Sequence, residues 1–138
     1  VKLARRLARA ADELGRVLPV LLECNVSGEA SKYGFAADEY ATDAAQQRAL
    51  REAIEQIATL SSLSIRGLMT MAPIGPEPEA ARPYFKALRK LRDALAVKFP
   101  AQTWDTLSMG MTDDFEVAIE EGATIIRVGR AIFGERAL

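Results

Sequence analysis

Two short segments carry the residue types that could hold an anion. Ser108-Met109-Gly110-Met111-Thr112 brings two hydroxyls and a glycine to the end of an apolar run, just before the acidic pair Asp113-Asp114. Arg127-Val128-Gly129-Arg130 ends the next apolar run with a guanidinium on each side of a glycine. Exposed backbone N–H groups at a strand-to-helix turn, helped by hydroxyls and the helix dipole, favour negative charge. Glycine lets a ligand come close to the backbone. Ser108, Gly110, Thr112, Arg127, Gly129 and Arg130 are therefore the candidate phosphate-binding residues. The same residues also admit a purely structural reading. Thr112 would then cap its helix, Gly129 would be a turn, and Arg127 would pair with Asp105 or Glu121.

Other chemistry is thinner. The chain has no histidine, which removes Ser-His and Cys-His nucleophile pairs and every His-ligated metal site. Cys24 is the only cysteine, so there is no intrachain disulfide and no CxxC clip, and its place inside an apolar run suits the core. Lys32, in a polar segment, is a candidate amine or simply a solvated side chain. Asn25 stands where a strand should end, either contacting ligand or holding the following loop. Asn25-Val26-Ser27 also matches a glycosylation sequon, a chance match in a chain with no secretory signal. Met69, Met71, Met109 and Met111 could line a pocket or fill the core. The run Lys86, Arg89, Lys90, Arg92 has no interleaved aromatics and reads as a solvated helix face.

The elements that must position these residues follow from pattern. Leu3, Leu7, Ala10 and Leu14 recur at helical spacing from the first residue, and Gly15 suits the position after a helix end. A helix already under way at Val1 suggests a chain cut from something longer, or else a processed start. Residues 17–26 (VLPVLLECNV) form a continuous apolar run, expected as a strand buried on both faces. A polar loop covers 27–38, and Thr42 is the expected cap of a helix reaching Leu60. Residues 63–71 (LSIRGLMTM) read as a strand in which Gly67 marks a bulge or a close backbone approach. The proline-rich stretch 72–79 is a loop, and a helix follows from about Ala81 or Pro83 with Phe85, Leu88, Leu91 and Leu95 inward. A short strand at 106–109, a helix opened by Thr112, a strand at 123–128 and a last short segment (RAIFGERAL) complete the order.

Alternating strands and helices mean a parallel sheet with right-handed crossovers. An open doubly wound sheet and part of a (β/α)₈ barrel both fit. A whole barrel needs about 250 residues, and 138 residues with four strands make roughly half of one. In either fold, ligands bind at the carboxyl ends of the strands. That is where both candidate segments lie.

Composition limits partners. Eighteen Lys and Arg against nineteen Asp and Glu leave a formal net charge of −1, too little for a bulk field that grips nucleic acid or an anionic membrane. No apolar run approaches the ~20 residues of a membrane span. Four charged side chains precede Asp12, which excludes a signal peptide. The expectation is one cytoplasmic domain over residues 1–138.

Three segments go beyond a generic strand–helix rhythm: LLECNVSGEASKYGF, RGLMTMAP and TLSMGMTDDFEVAIEEGATIIRVGRAIFGER. Together they resemble the pyridoxal phosphate homeostasis proteins, single-domain relatives of the alanine racemase N-terminal barrel. The resemblance implies a (β/α)₈ barrel that binds pyridoxal 5′-phosphate (PLP), and a non-enzymatic role in its supply. It places Thr112 at the hydroxyl that closes the SMGMT segment, and Arg127 and Gly129 at the family's Arg and Gly. Arg130 stands where a serine or threonine is frequent, so a guanidinium replaces a hydroxyl there. Nothing matches the segment carrying the family's Schiff-base lysine, so the chain reads as the C-terminal portion of such a barrel, keeping the phosphate end. The open strand edges near Val20 and Ile125 would then be exposed to self-association. The alternatives are a fragment of a PLP-dependent racemase-type enzyme, or a half-barrel for another phosphorylated ligand. A racemase draws a second acid/base from a separate C-terminal β-domain, which disfavours the former.

Overall fold

The computed structural model describes residues 1–134. Five strands form one parallel sheet in the order β2-β1-β3-β4-β5. They are β1 (Leu18–Asn25), β2 (Phe35–Ala36), β3 (Leu63–Met69), β4 (Thr106–Met111) and β5 (Ile125–Arg127). The helices are α1 (Lys2–Glu13), α2 (Ala44–Ala58), α3 (Arg82–Lys98), α4 (Phe115–Glu120) and α5 (Arg130–Phe133). A 3₁₀ turn at Pro78–Ala81 leads into α3. Residues 135–138 of the last expected segment lie outside the described residues.

From β1 through β3, β4 and β5 the order never reverses. With right-handed crossovers, a sheet that advances in one direction puts its helices on one face. The two-residue β2 lies on the far side of β1, but a loop and not a helix joins them, so the step back carries no helix to the second face, which decides between the two candidate architectures. The sheet is an open section of a (β/α)₈ barrel, not a doubly wound sheet.

That choice corrects one expectation. The apolar run of β1 is not buried on both faces. Leu22, Cys24 and Val26 are buried, while Leu21, Glu23 and Asn25 between them are half-buried. Helices cover only one face, so burial alternates with the pleat. On that face Leu22, Ile65, Leu68, Leu107 and Met109 pack with Leu50, Ile54, Phe85, Leu88 and Leu95 from α2 and α3.

The local punctuation is legible residue by residue. Gly15 follows α1 at φ +60°, its N–H donating to the Asp12 carbonyl while that of Arg16 reaches Ala11. These are the two bonds of a Schellman ending. The cap of α2 is Asp43, one residue beyond the expected Thr42; its carboxylate accepts from the Ala45 N–H at 2.7 Å. Thr42 instead donates to the Glu39 carbonyl. Gly67 serves both of its expected uses. The β1–β3 register skips Arg66 between Ile65 and Gly67, and a Cβ at Gly67 would stand 1.8 Å from the Thr106 carbonyl oxygen. The loop at 27–38 hides the two-residue β2, which pairs with Cys24 and Asn25.

The cationic run on α3 is not simply solvated. Arg82, Lys86 and Arg89 converge on Glu121, which is only 4% exposed, with Arg82 Nη1 at 2.8 Å and Arg89 Nη2 at 3.1 Å. Arg82 also bonds Glu79 and Glu120, tying the 3₁₀ turn to α4. Arg92 donates to Asp93 and to the Trp104 carbonyl. Of the four, Lys90 keeps the expected solvated position. The hydrogen bond from Arg82, and then the nearby cations, hold the Glu121 carboxyl below the ordinary range against the opposing effect of burial. A carboxylate with a lowered folded-state pKa gives stability that is present above its ordinary value, and that stability is lost as pH falls through the lowered one. Glu121→Gln should therefore flatten the acid limb of the stability curve while changing it little in shape near neutral pH. Denaturant unfolding across pH 3–7 checks this.

Candidate functional site

The expected site residues converge at the carboxyl ends of β4 and β5. Ser108 is buried within β4, and Arg127 ends β5. The Arg127 guanidinium crosses the sheet, donating to Ser108 Oγ at 2.7 Å and to the Thr70 carbonyl at 2.9 Å. It is not the partner of Asp105 or of Glu121. Asp105 pairs with Arg66, and Glu121 with the α3 cations. Among the described residues no carboxylate forms an ion pair with Arg127. Burial pushes its pKa down, and the nearby charges of Asp114 and Glu23 push it back up. An arginine stays protonated through such shifts. A half-buried cation that hydrogen-bonds a hydroxyl and a carbonyl, with Asp114 and Glu23 near it but not ion-paired to it among the described residues, suits a negatively charged ligand.

Thr112 does not open a helix. Strand β4 runs on to Met111, a turn covers 112–114, and α4 begins at Phe115. Asp114 closes that turn by accepting from the Met111 N–H at 2.6 Å. Thr112 is thereby delivered to the head of α5, where its Oγ accepts weakly from the Ala131 N–H at 3.4 Å. The structure thus brings Thr112 beside the backbone of residues 129–131. Space around Gly129 is open: a Cβ there would meet nothing within 4 Å. Arg130 turns its guanidinium to the Asp113 carboxylate.

Gly110 has a packing role. At φ +93° its missing Cβ would lie 2.6 Å from the Ala118 Cβ and 3.0 Å from the Phe115 Cα. The glycine lets α4 lie directly on the strand end, which sets the course of the turn carrying Thr112. Beside it, a cleft of about 330 Å³ opens between residues 72–78 and Met111, Asp113 and Asp114.

The remaining candidates divide. Asn25 holds its loop: Oδ1 accepts from the Ser27 N–H, the Ser27 hydroxyl and the Gly28 N–H, and Nδ2 donates to the Glu29 carbonyl. Lys32 sits 3.7 Å from Glu29 with its side chain 24% exposed, more covered than a solvated lysine. Cys24 is buried, and burial, then the Glu23 charge, pushes its thiol up to about 12. It is a core residue and not a nucleophile. Met109 is core; Met69 and Met111 are half-buried at strand ends. Thr70, 1% exposed, went unnoticed in the sequence. Its hydroxyl donates to the Cys24 carbonyl at 2.8 Å and its own carbonyl receives Arg127. A lone threonine in the apolar string LMTM was the available signal.

The one-way order of β1, β3, β4 and β5 with helices between them defines the class: a section of a parallel (β/α) barrel. Residues 1–137 match the family model described as "Alanine racemase, N-terminal domain", and the chain belongs to that family. It is 42% identical over 134 residues to a protein of Aquifex aeolicus named "Pyridoxal phosphate homeostasis protein", covering 97% of this chain and 54% of that one. A protein of the same name from Vibrio cholerae is 42% identical over 135 residues, covering 98% of this chain and 52% of its own length. Among solved structures, PipY of Synechococcus elongatus without PLP superposes at a TM-score of 0.80 and 34% identity, covering 96% of this chain and 57% of that one. The PipY structure with PLP bound gives 0.78 at the same identity and coverage. The chain spans about half the length of the curated relatives it matches. No helix of the described residues is long and apolar enough to cross a membrane.

Proposed function

We propose that this chain binds pyridoxal 5′-phosphate by its phosphate end and contributes to keeping that cofactor in supply. The observation that carries the reading is Arg127, a half-buried guanidinium at the barrel mouth held by Ser108 and Thr70, with no ion-pairing carboxylate among the described residues. The residues present fit the anionic end of the cofactor. Thr112 offers a hydroxyl, the backbone of Gly129 and Arg130 at the head of α5 offers N–H groups in open space, and Arg127 offers charge. Arg130 is engaged by Asp113, so at that position the backbone, and not the guanidinium, takes the place of the hydroxyl common in the family. When bound, PLP supplies an aldehyde that reacts with amines. This chain brings no lysine to a strand: Lys2, Lys86, Lys90 and Lys98 are on helices, and Lys32 is in the loop between β1 and β2. The reading is therefore reversible binding through the phosphate, by the C-terminal portion of a homeostasis-type barrel without catalysis.

The test is a titration of the 138-residue chain with PLP, followed by absorbance, competition with inorganic phosphate, and borohydride reduction with mass analysis. Saturable binding that phosphate competes away, with no mass added, is the expected result. No binding overturns the reading. An adduct fixed on one lysine, Lys32 above all, overturns its reversible character.

A further inference from the structure

Arg127 owes its direction to a residue that carries no charge. Thr70, just past the end of β3, is 1% exposed and is tied on three sides. Its N–H donates to the Ser108 carbonyl on β4 at 3.1 Å, and its hydroxyl donates to the Cys24 carbonyl on β1 at 2.8 Å. Its own carbonyl accepts from Arg127 Nη2 at 2.9 Å, while Nη1 of the same guanidinium reaches Ser108 Oγ at 2.7 Å. Arg127, Ser108 and Thr70 thus close a ring of hydrogen bonds, and the Thr70 hydroxyl anchors that ring to a fourth strand.

The hydroxyl matters because of where it stands. The pairing of β3 ends at Met69, opposite Glu23 on β1 and Ser108 on β4. Beyond Thr70, residues 71–75 are irregular, and Pro73 has no N–H to give. The peptide that carries the Thr70 carbonyl therefore lies at the seam between the sheet and an irregular segment, where the β1–β3 ladder no longer fixes its plane. On the β1 side the hydroxyl bond takes over that task. Thr70 and Cys24 are each 1% exposed, so the hydroxyl and the carbonyl meet out of reach of solvent. A hydroxyl buried in an apolar string costs desolvation unless it is bonded, and packing alone would favour valine here.

Guanidinium geometry makes the carbonyl's direction consequential. Arginine presents its donors in a rigid planar fork. Two of them go to the neutral acceptors of Ser108 and Thr70, and this fixes the plane of the whole fork. When the Thr70 carbonyl turns, one anchor is lost and the cation rotates about the other.

We infer that Thr70 is a positioning residue of this site: its hydroxyl, bonded to the Cys24 carbonyl, fixes the peptide carbonyl that aims Arg127 at the bound anion. The anion is that of the proposed function, on which this assignment rests, whereas the aiming of Arg127 belongs to the chain itself.

Thr70→Val removes the hydroxyl at nearly constant shape, and Thr70→Ser keeps it. Both variants are titrated with PLP and with inorganic phosphate, alone and in an Arg127→Ala background, and the nitrogen NMR signals of the Arg127 side chain are recorded before any addition. Thr70→Val is expected to weaken PLP binding about three- to tenfold, the worth of one hydrogen bond, and to weaken nothing further once Arg127 is alanine. Thr70→Ser should bind within about twofold of the unaltered chain. Before addition, the two Nη signals of Arg127 should be separate in the unaltered and serine chains, because a two-point grip slows rotation, and averaged in the valine chain. Undiminished affinity in Thr70→Val, an equal loss in both backgrounds, or failure of serine to rescue overturns the assignment. So do separate Nη signals in Thr70→Val, or averaged ones in the unaltered chain. If the unaltered chain binds neither PLP nor phosphate, the proposed function falls, and the Nη signals alone decide whether Thr70 aims Arg127. Thr70→Ala takes the place of the valine variant if that one does not fold.

Discussion

Arg127→Ala is expected to weaken PLP binding roughly ten- to a hundredfold, because a charge-assisted hydrogen bond contributes about 1.5–3 kcal/mol. The estimate rests on how the guanidinium is held. Its contacts to Ser108 Oγ and the Thr70 carbonyl fix its direction without neutralising it. A neutral partner of this sort leaves the cation's field to act on the ligand; a carboxylate would cancel it. Arg127→Lys keeps the charge and loses the two-point grip, so its affinity should fall between those of the unaltered chain and the alanine variant. Calorimetric titration with PLP and with inorganic phosphate checks both variants. Equal affinities for all three chains would give Arg127 a purely structural role.

The largest effect on stability is expected at Gly67. A methyl at this position would meet the Thr106 carbonyl oxygen at 1.8 Å, inside the β3–β4 pairing where Gly67 stands opposite Thr106. Backbone on the neighbouring strand cannot swing aside as a long side chain can. The φ of +150° adds a conformation that L side chains rarely adopt. Overpacking of this kind costs typically 1–3 kcal/mol, and the sparsely populated backbone conformation adds about 1–3 kcal/mol. Gly67→Ala should therefore lose a large fraction of a marginal domain's stability. Denaturant midpoints measure the loss, and a midpoint within error of the parent chain would refute the clash. Gly129→Ala is the matched control, since open space surrounds that position.

How far the sequence led depended on the range of the interaction. Local signals were read well: the Gly15 ending of α1, the Gly67 bulge, and the inward Phe85, Leu88, Leu91 and Leu95 of α3 all depend on neighbours a few residues away. The cap at Asp43 was missed by one position because Thr42 and Asp43 both carry a suitable oxygen, and backbone geometry chooses between them. Strand β2 was missed because two residues, Phe35 and Ala36, hold too little pattern to stand out in a polar loop. Burial on one face of β1 was not legible, since the run itself is apolar on both faces and only the layout of the helices leaves one uncovered. Glu121, offered by the sequence as a partner for Arg127, has its true partners hidden for the same reason. Its partners lie 32–39 residues away on α3, and nothing in a local window distinguishes it from Glu120. At the site, the six residues named from the sequence lie on β4, β5 and the segments that follow them, but in altered parts. Gly110 packs a helix, Arg130 answers Asp113, and Thr112 serves the next strand's loop and not its own helix.

The cross-sheet reach of Arg127 has a practical consequence. Its guanidinium starts on β5, passes Ser108 on β4 and ends at the carbonyl of Thr70, the residue just past the end of β3. A slip of any one of these strands by a single residue would turn the Arg127 or Ser108 side chain to the wrong face of the sheet, or aim the Thr70 carbonyl away from the guanidinium. Circular dichroism would hardly register such a slip, because the helix and strand content would be unchanged. Ligand affinity would register it at once. On the proposed function, a preparation's PLP-binding stoichiometry therefore counts the molecules whose three strands are in register. Added ligand should also draw the misregistered remainder back by mass action, worth about 2.7 kcal/mol at a hundredfold excess over Kd.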